Sequence, residues 1–233
     1  MFGPIKNVIF DFDGTLVDTM TSVIEGLSQA VRFGRGGASI TREELVGSFG
    51  GTPLGIVQRW VPEDKVNEAF KVWLDFENSL QPQDMAPFPG IEGLLKGLLE
   101  ENIATAIYTG RDRKGTLKIA EAHGWMGKFL NEQEMVCGDD GFSPKPCPDP
   151  ILHLLKKFNW NPKETLMVGD HPFDMKAGRD AGVRTGAVLW DKPFGTKGTQ
   201  RSIFKQVWEK WDGNTDVDVR LEKPEALLNW IRS

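Results

Sequence analysis

Asp11 and Asp13 stand two residues apart in Asp11-Phe12-Asp13-Gly14-Thr15, directly behind the apolar run Val8-Ile9-Phe10. Two carboxylates at the end of a buried strand are costly to keep unless something neutralises them. A hard divalent cation and a phosphoryl group are the partners that suit such a pair. Gly14 lets the chain turn sharply there, and Thr15 offers a hydroxyl to the turn. Further chemistry follows other apolar runs. Thr109-Gly110-Arg111 brings a hydroxyl, backbone N–H donors and a guanidinium; Gly169-Asp170 and Asp174 bring two more carboxylates. Lys145 sits among Pro144, Pro146 and Pro148, where a stiff backbone loses little entropy when its ammonium is positioned. Four aspartates around a phosphate dianion would repel it. A magnesium ion bridging carboxylates and phosphate, together with the lysine, reverses that balance. Donors at Thr109 and Gly110 would then hold the transferring phosphoryl oxygens.

The elements that must position these residues are readable from periodicity. Asn7–Phe10, Thr105–Tyr108, Thr165–Val168 and Thr185–Trp190 are continuous apolar segments, as expected of strands buried on both faces. Met135-Val136-Cys137 and Val217–Val219 predict two more short strands. Helical spacing links Ile91, Leu94, Leu95 and Leu98, and then Leu117 and Ala120, with Trp125 extending the pattern. Asp149-Pro150 reads as a cap residue and first-turn proline opening a helix whose buried face is Ile151, Leu152, Leu155 and Phe158. Strands alternating with helices imply an α/β fold, a parallel sheet with helices on both faces, whose ligands bind beyond the carboxyl ends of the strands.

Residues 17–86 break that rhythm. Met20, Val23, Ile24, Leu27 and Val31 form one amphipathic stripe, and Val66, Ala69, Phe70 and Trp73 another that continues into Glu77. Pro82, Pro87 and Pro89 mark the return to the sheet. Two domains are therefore expected: an α/β core of 1–16 plus 87–233, and an α-helical cap of 17–86. Near the C-terminus, Ile203, Phe204, Val207, Trp208 and Trp211 predict a helix packing on the core. Residues 191–202 read as a loop, and Lys223-Pro224 opens a last helix with Leu227, Leu228 and Ile231.

At 233 residues with net charge −5, the chain has no general attraction for nucleic acid or anionic membrane, so any affinity for phosphate is local. The first apolar run is too short for a signal peptide or membrane span. Cys137 and Cys147 lack any metal-binding spacing and read as free thiols in the cytoplasm, and His123, His153 and His171 lie on different segments.

Asp11-x-Asp13-Gly14-Thr15, Thr109, Lys145 and Gly169-Asp170-x-x-x-Asp174 resemble, in order, the four motifs of the haloacid dehalogenase superfamily. The resemblance runs from residue 8 to about 190. The helical insertion after the first motif looks like that family's C1 cap on a Rossmann-like three-layer core. Lys145-Pro146-x-Pro148 and Asp180-Ala181-Gly182 are similar to the phosphoglycolate phosphatase-like and β-phosphoglucomutase-like branch. The resemblance implies a Mg²⁺-dependent phosphatase acting on a small phosphorylated metabolite, phosphoglycolate-like, as a monomer or homodimer. It assigns Asp11 as nucleophile forming an aspartyl-phosphate and Asp13 as general acid and base. Thr109 and Gly110 would bind the phosphoryl group, and Lys145 would neutralise Asp11 and the phosphate. The Asp11 carboxylate, the Asp13 backbone carbonyl, Asp170 and Asp174 would hold the metal. In this family the cap loop, here Gly47–Pro53 with Gly51 and Thr52, faces the site and selects substrate.

Thr-Gly-Arg departs from the branch's usual second motif, which leaves both surface pairing and substrate contact open for Arg111. His171 is expected to be a loop residue. Asp174 could also cap the helix that follows it. Rival readings are β-phosphoglucomutase-like phosphoryl transfer and a catalytically idle binding module. Phosphonate cleavage would need a cap lysine as Schiff base, and Lys65 and Lys71 both fit exposed helix positions.

Overall fold

The computed structural model describes residues 4–48, 52–81, 84–190 and 217–233. Six strands form one parallel sheet: β1 (Asn7–Phe10), β2 (Ala104–Tyr108), β3 (Met135–Val136), β4 (Thr165–Gly169), β5 (Arg184–Val188) and β6 (Val219–Leu221). Their order is β3-β2-β1-β4-β5-β6. All five pairings are parallel, so each connection crosses over the sheet.

The strands are apolar throughout because both faces are covered. Val8 and Phe10 of β1 join Leu166 and Val168 of β4 in one core, whereas Ile9 joins Met167 in the other. The alternation is the two-residue period of a strand, with an apolar layer on each side. Helices α5 (Ile91–Glu100), α6 (Arg113–Ala122) and α9 (Glu225–Ile231) cover the first face with Leu94, Leu95, Ile119 and Leu227. Helices α7 (Asp149–Phe158) and α8 (Pro172–Asp180) cover the second with Ile151, Leu154 and Ala177.

Between β1 and α5 the chain builds α1 (Met20–Gly34), α2 (Arg42–Val46), α3 (Pro53–Trp60) and α4 (Val66–Ser79). They enclose an apolar core of their own, in which Leu27, Leu45, Val57, Ala69 and Trp73 are buried. The two segments joining these helices to the sheet pair with each other. Val17 bridges Pro87, Asp18 N donates to Ala86 O at 2.8 Å, and Phe88 N donates to Leu16 O at 3.1 Å.

Several expectations shift in detail. Trp125 lies beyond the end of α6, buried in the turn that follows, because His123 and Gly124 break the helix; Gly124 has φ +67°. Asp149 is already helical and makes no capping hydrogen bond, since Pro148 takes the cap position and Pro150 the second place in the first turn. Leu152, expected on the buried face of α7, is 43% exposed, and Leu154 is buried in its place. The strand expected at Val217–Val219 begins at Val219, where pairing with Gly186 starts. The apolar segment 203–211 lies outside the described residues.

The register places the strand ends level. Phe10 is paired with both Ile107 and Val168, so Asp11, Thr109 and Asp170 leave the sheet along one edge. Close approach there demands a glycine. A Cβ on Gly169 would stand 2.3 Å from Asp174 Cγ, so Gly169→Ala is expected to push Asp174 aside and to cost about 1–3 kcal/mol of stability. Leu94→Ala, which empties a fully buried position, is expected to cost about 2–5 kcal/mol. The midpoint of urea unfolding reads both, and an unshifted midpoint for Leu94→Ala would contradict the packing described.

Candidate active site

The first two carboxylates hang on a short turn. Asp11 N donates to Val168 O at 2.8 Å, continuing the strand pairing for one more residue. Gly14 at φ +78° then reverses the chain, and its N–H donates to Val17 O at 2.9 Å. The Thr15 hydroxyl does not support this turn as expected: it is buried and meets no protein partner. What ties Thr15 down is its carbonyl, which accepts from Trp190 Nε1 at 3.1 Å.

Lys145 joins the strand ends. Its Nζ lies 2.7 Å from Asp11 Oδ1 and 2.7 Å from Asp174 Oδ1, with all three side chains buried. Burial alone would depress the ammonium, but Asp11 and Asp174 outweigh it and hold the group above its ordinary range. The Tyr108 ring supports the same ammonium, with Nζ 4.9 Å from its centroid, and the Tyr108 hydroxyl donates to Cys147 O at 3.2 Å in the lysine's own loop.

Asp174 does two jobs. Its Oδ2 accepts from His171 N at 3.0 Å, completing a capping box at the start of α8, while Oδ1 faces Lys145. His171, expected in a loop, is the residue that caps this helix; its Nδ1 accepts from Phe173 N at 3.2 Å. Asp112 caps α6 by accepting from Gly115 N at 2.8 Å. Thr109 is buried, and its hydroxyl accepts from Arg111 N at 3.1 Å.

One carboxylate oxygen from each of Asp11, Asp170 and Asp174 lies within 4.8 Å of the other two, and all three residues are buried. Burial pushes the Asp11 carboxyl well above the ordinary range; Lys145 opposes this, and Asp174 and Asp170 add to it. One ammonium therefore does not balance the cluster. An all-oxygen donor set with an excess of negative charge fits a hard divalent cation.

Arg111 is neither on the surface nor open to solvent; its side chain is 4% exposed. Nε donates to both Asp13 oxygens at 3.1 and 3.0 Å, and Nη2 donates to Asp13 Oδ1 at 2.9 Å. Nη1 pairs with Glu77 of α4. Burial would depress the guanidinium, yet Asp13 and Glu77 together raise it. Thr19, just before α1, donates its hydroxyl to Asp13 Oδ1 at 2.6 Å. Thr19, Tyr108 and Glu77 carried no motif signal. Of the three, Glu77 left a trace, as an acid continuing an apolar helical stripe.

A cavity of about 110 Å³ opens between the strand ends and the helical segment. Asp11, Asp13, Thr109, Gly110, Lys145 and Asp170 line one side, as do Arg111, His171 and Asp174. The other wall is apolar apart from Glu77: Met20, Val23, Leu27, Pro53, Ile56 and Trp73. The Thr52 hydroxyl is spent on capping α3, accepting from Gly55 N at 3.2 Å, and Pro53 next to it reaches the cavity wall. Gly51 lies outside the described residues. Lys65 and Lys71 make exposed pairs with Glu68 and Asp75.

Known proteins resemble this chain in sequence and in fold. A protein of Caldanaerobacter subterraneus subsp. tengcongensis, provisionally named pyrophosphatase PpaX, is 33% identical over 189 residues, covering 80% of this chain and 82% of its own. A phosphoglycolate phosphatase of Psychrobacter arcticus is 24% identical over 203 residues, 81% and 85% of the two chains. The crystal structure of a hydrolase from Pseudomonas syringae superposes with a TM-score of 0.76 at 20% identity, over 97% of this chain and 98% of the other, and shows the same fold. Residues 8–188 match the family model of haloacid dehalogenase-like hydrolases, and the chain belongs to that family.

Proposed function

We propose that this hydrolase is a Mg²⁺-dependent phosphatase that cleaves a small, phosphoglycolate-like monoester through an aspartyl-phosphate on Asp11. The observation that carries the reading is the buried set of Asp11, Asp170 and Asp174 around Lys145 at the strand ends, beneath an apolar wall. Relatives named for phosphatase and pyrophosphatase activity support the class of reaction. The small cavity supports a substrate of metabolite size, and the net charge of −5 gives the chain no general attraction for polyanions.

In this reading residues 17–86 are a cap over a core of 1–16 and 87–233. Asp11 attacks phosphorus while Lys145 holds one of its oxygens, which leaves the other to form the new bond. Thr109 and the Gly110 N–H receive phosphoryl oxygens. Asp13 gives a proton to the leaving oxygen and later takes one from the water that hydrolyses the acyl-phosphate. Arg111 and Thr19 fix the direction in which its carboxylate points. Asp11, Asp170, Asp174 and the Asp13 carbonyl would hold Mg²⁺, which supplies charge neutralisation of the phosphoryl group and of the carboxylates around it. The apolar wall excludes water from the intermediate. Two free cysteines support a cytoplasmic setting, and no described helix is long and apolar enough to cross a membrane.

Two measurements test this. Mg²⁺ should raise the thermal midpoint of the wild type by mass action, with about 2.7 kcal/mol gained at a hundredfold excess over Kd, and Asp170→Asn should lose most of that gain. Release of phosphate from an aryl phosphate should require Mg²⁺. It should fall on the order of 10³-fold or more in Asp11→Asn and about 10²–10⁴-fold in Asp13→Asn. Full turnover by Asp11→Asn would end the covalent mechanism.

A further inference from the structure

Glu77 is out of place by the ordinary logic of an amphipathic helix. It lies four residues after Trp73 on the face of α4 that turns inward, and its side chain is 11% exposed. A carboxylate there is expensive unless fully paired. Glu77 is only half paired: Oε2 meets Arg111 Nη1, while Oε1 is buried without a hydrogen-bond partner. Burial raises the group above the usual carboxylate range, with Arg111 opposing.

Arg111 and Lys145 are the lysine and arginine side chains lining the cavity. Lys145 is already held between Asp11 and Asp174, so an anion on the leaving group has Arg111 to turn to. The Nε and Nη2 edge of that guanidinium is taken by Asp13, and its Nη1 end by Glu77. A third carboxylate brought to Arg111 beside Asp13 and Glu77 would set three negative charges against one positive. The rest of the helical wall is apolar and offers no compensating charge. Glu77 has somewhere to go: a second cavity, of about 230 Å³, is also lined by Glu77 and Arg111, and Lys114 and Lys118 of α6 lie along it.

On the phosphatase reading above, we propose that Glu77 is an internal stand-in for a carboxylate on the substrate's leaving group. It occupies Arg111 Nη1 when that carboxylate is absent, and gives way toward Lys114 and Lys118 when a carboxylate-bearing phosphomonoester enters. The exchange makes Glu77 a specificity-determining residue contributed by α4. It deepens the phosphoglycolate-like assignment by naming the feature that is recognised, a carboxylate placed to reach Arg111.

The test is calorimetric binding of phosphoglycolate and of ethyl phosphate, in the presence of Mg²⁺, to Asp11→Asn and to the Asp11→Asn, Glu77→Gln double variant. Removing the competing charge is expected to improve the preference for phosphoglycolate over ethyl phosphate about tenfold. Glu77→Ala in the same background should shift it in the same direction, which guards against a geometric fault peculiar to glutamine. An unchanged preference, or equal weakening of both ligands, overturns the proposal and leaves Glu77 a structural strut. A shift toward ethyl phosphate overturns it as well, and so does failure of both variants to fold. Aryl-phosphate turnover by the wild type reports separately on the phosphatase reading, so failure of one is distinguishable from failure of the other.

Discussion

The structure depends on the problem of keeping several carboxylates close together and out of water. Asp11, Asp170 and Asp174 are buried at the carboxyl edge of the sheet, and one ammonium, that of Lys145, stands between two of them at 2.7 Å from each. Any one of these charges alone would be intolerable in such a place. Several contacts serve the geometry that makes them tolerable: a lysine set among prolines and over an aromatic ring, and a helix start that uses Asp174 as part of its own cap.

A second charge system lies beside the first. Asp13, Arg111 and Glu77 form a chain from the turn after β1, through the loop after β2, to α4. Every link between its members is buried or half-buried, so solvent screens it weakly. The chain ties the sheet to the helical segment by charge rather than by apolar contact, and a charged contact can be contested by a charged ligand in a way that a packed core cannot. The wall opposite, from Met20 to Trp73, presents apolar side chains to the same cavity.

Much of this was legible before any fold was known. The residues with chemistry follow apolar runs, and a parallel sheet gathers whatever follows its strands along one edge. The periodicities of Val8 to Phe10 and of Leu94 to Leu98 reflect burial on two faces and on one, so they carried the layer architecture too. The misreadings have two causes. At Asp149 and Trp125 the adjacent Pro148 and Gly124 set the helix limits differently from the apolar spacing, whereas at Thr15 packing across the chain decided the outcome. Trp190, from 175 residues away, took the hydrogen-bonding role at the turn that the Thr15 hydroxyl was expected to fill.

The sequence by itself determined which charged and polar groups stand at the strand ends and in what order along the chain, because residue type and strand-end position are local properties. It also determined that a helical segment follows the first motif, since stripes at helical spacing need no partner to be recognised. Tertiary structure alone decided the company these groups keep. That Arg111 faces Asp13 rather than solvent, that Tyr108 lies beneath Lys145, and that Glu77 completes the charge system from another part of the chain are consequences of pairing over distances that no spacing rule spans. Electrostatics is the reason: the worth of a charge is set by what lies within a few ångströms of it and by how much water remains, and both are fixed only when the helices close over the sheet.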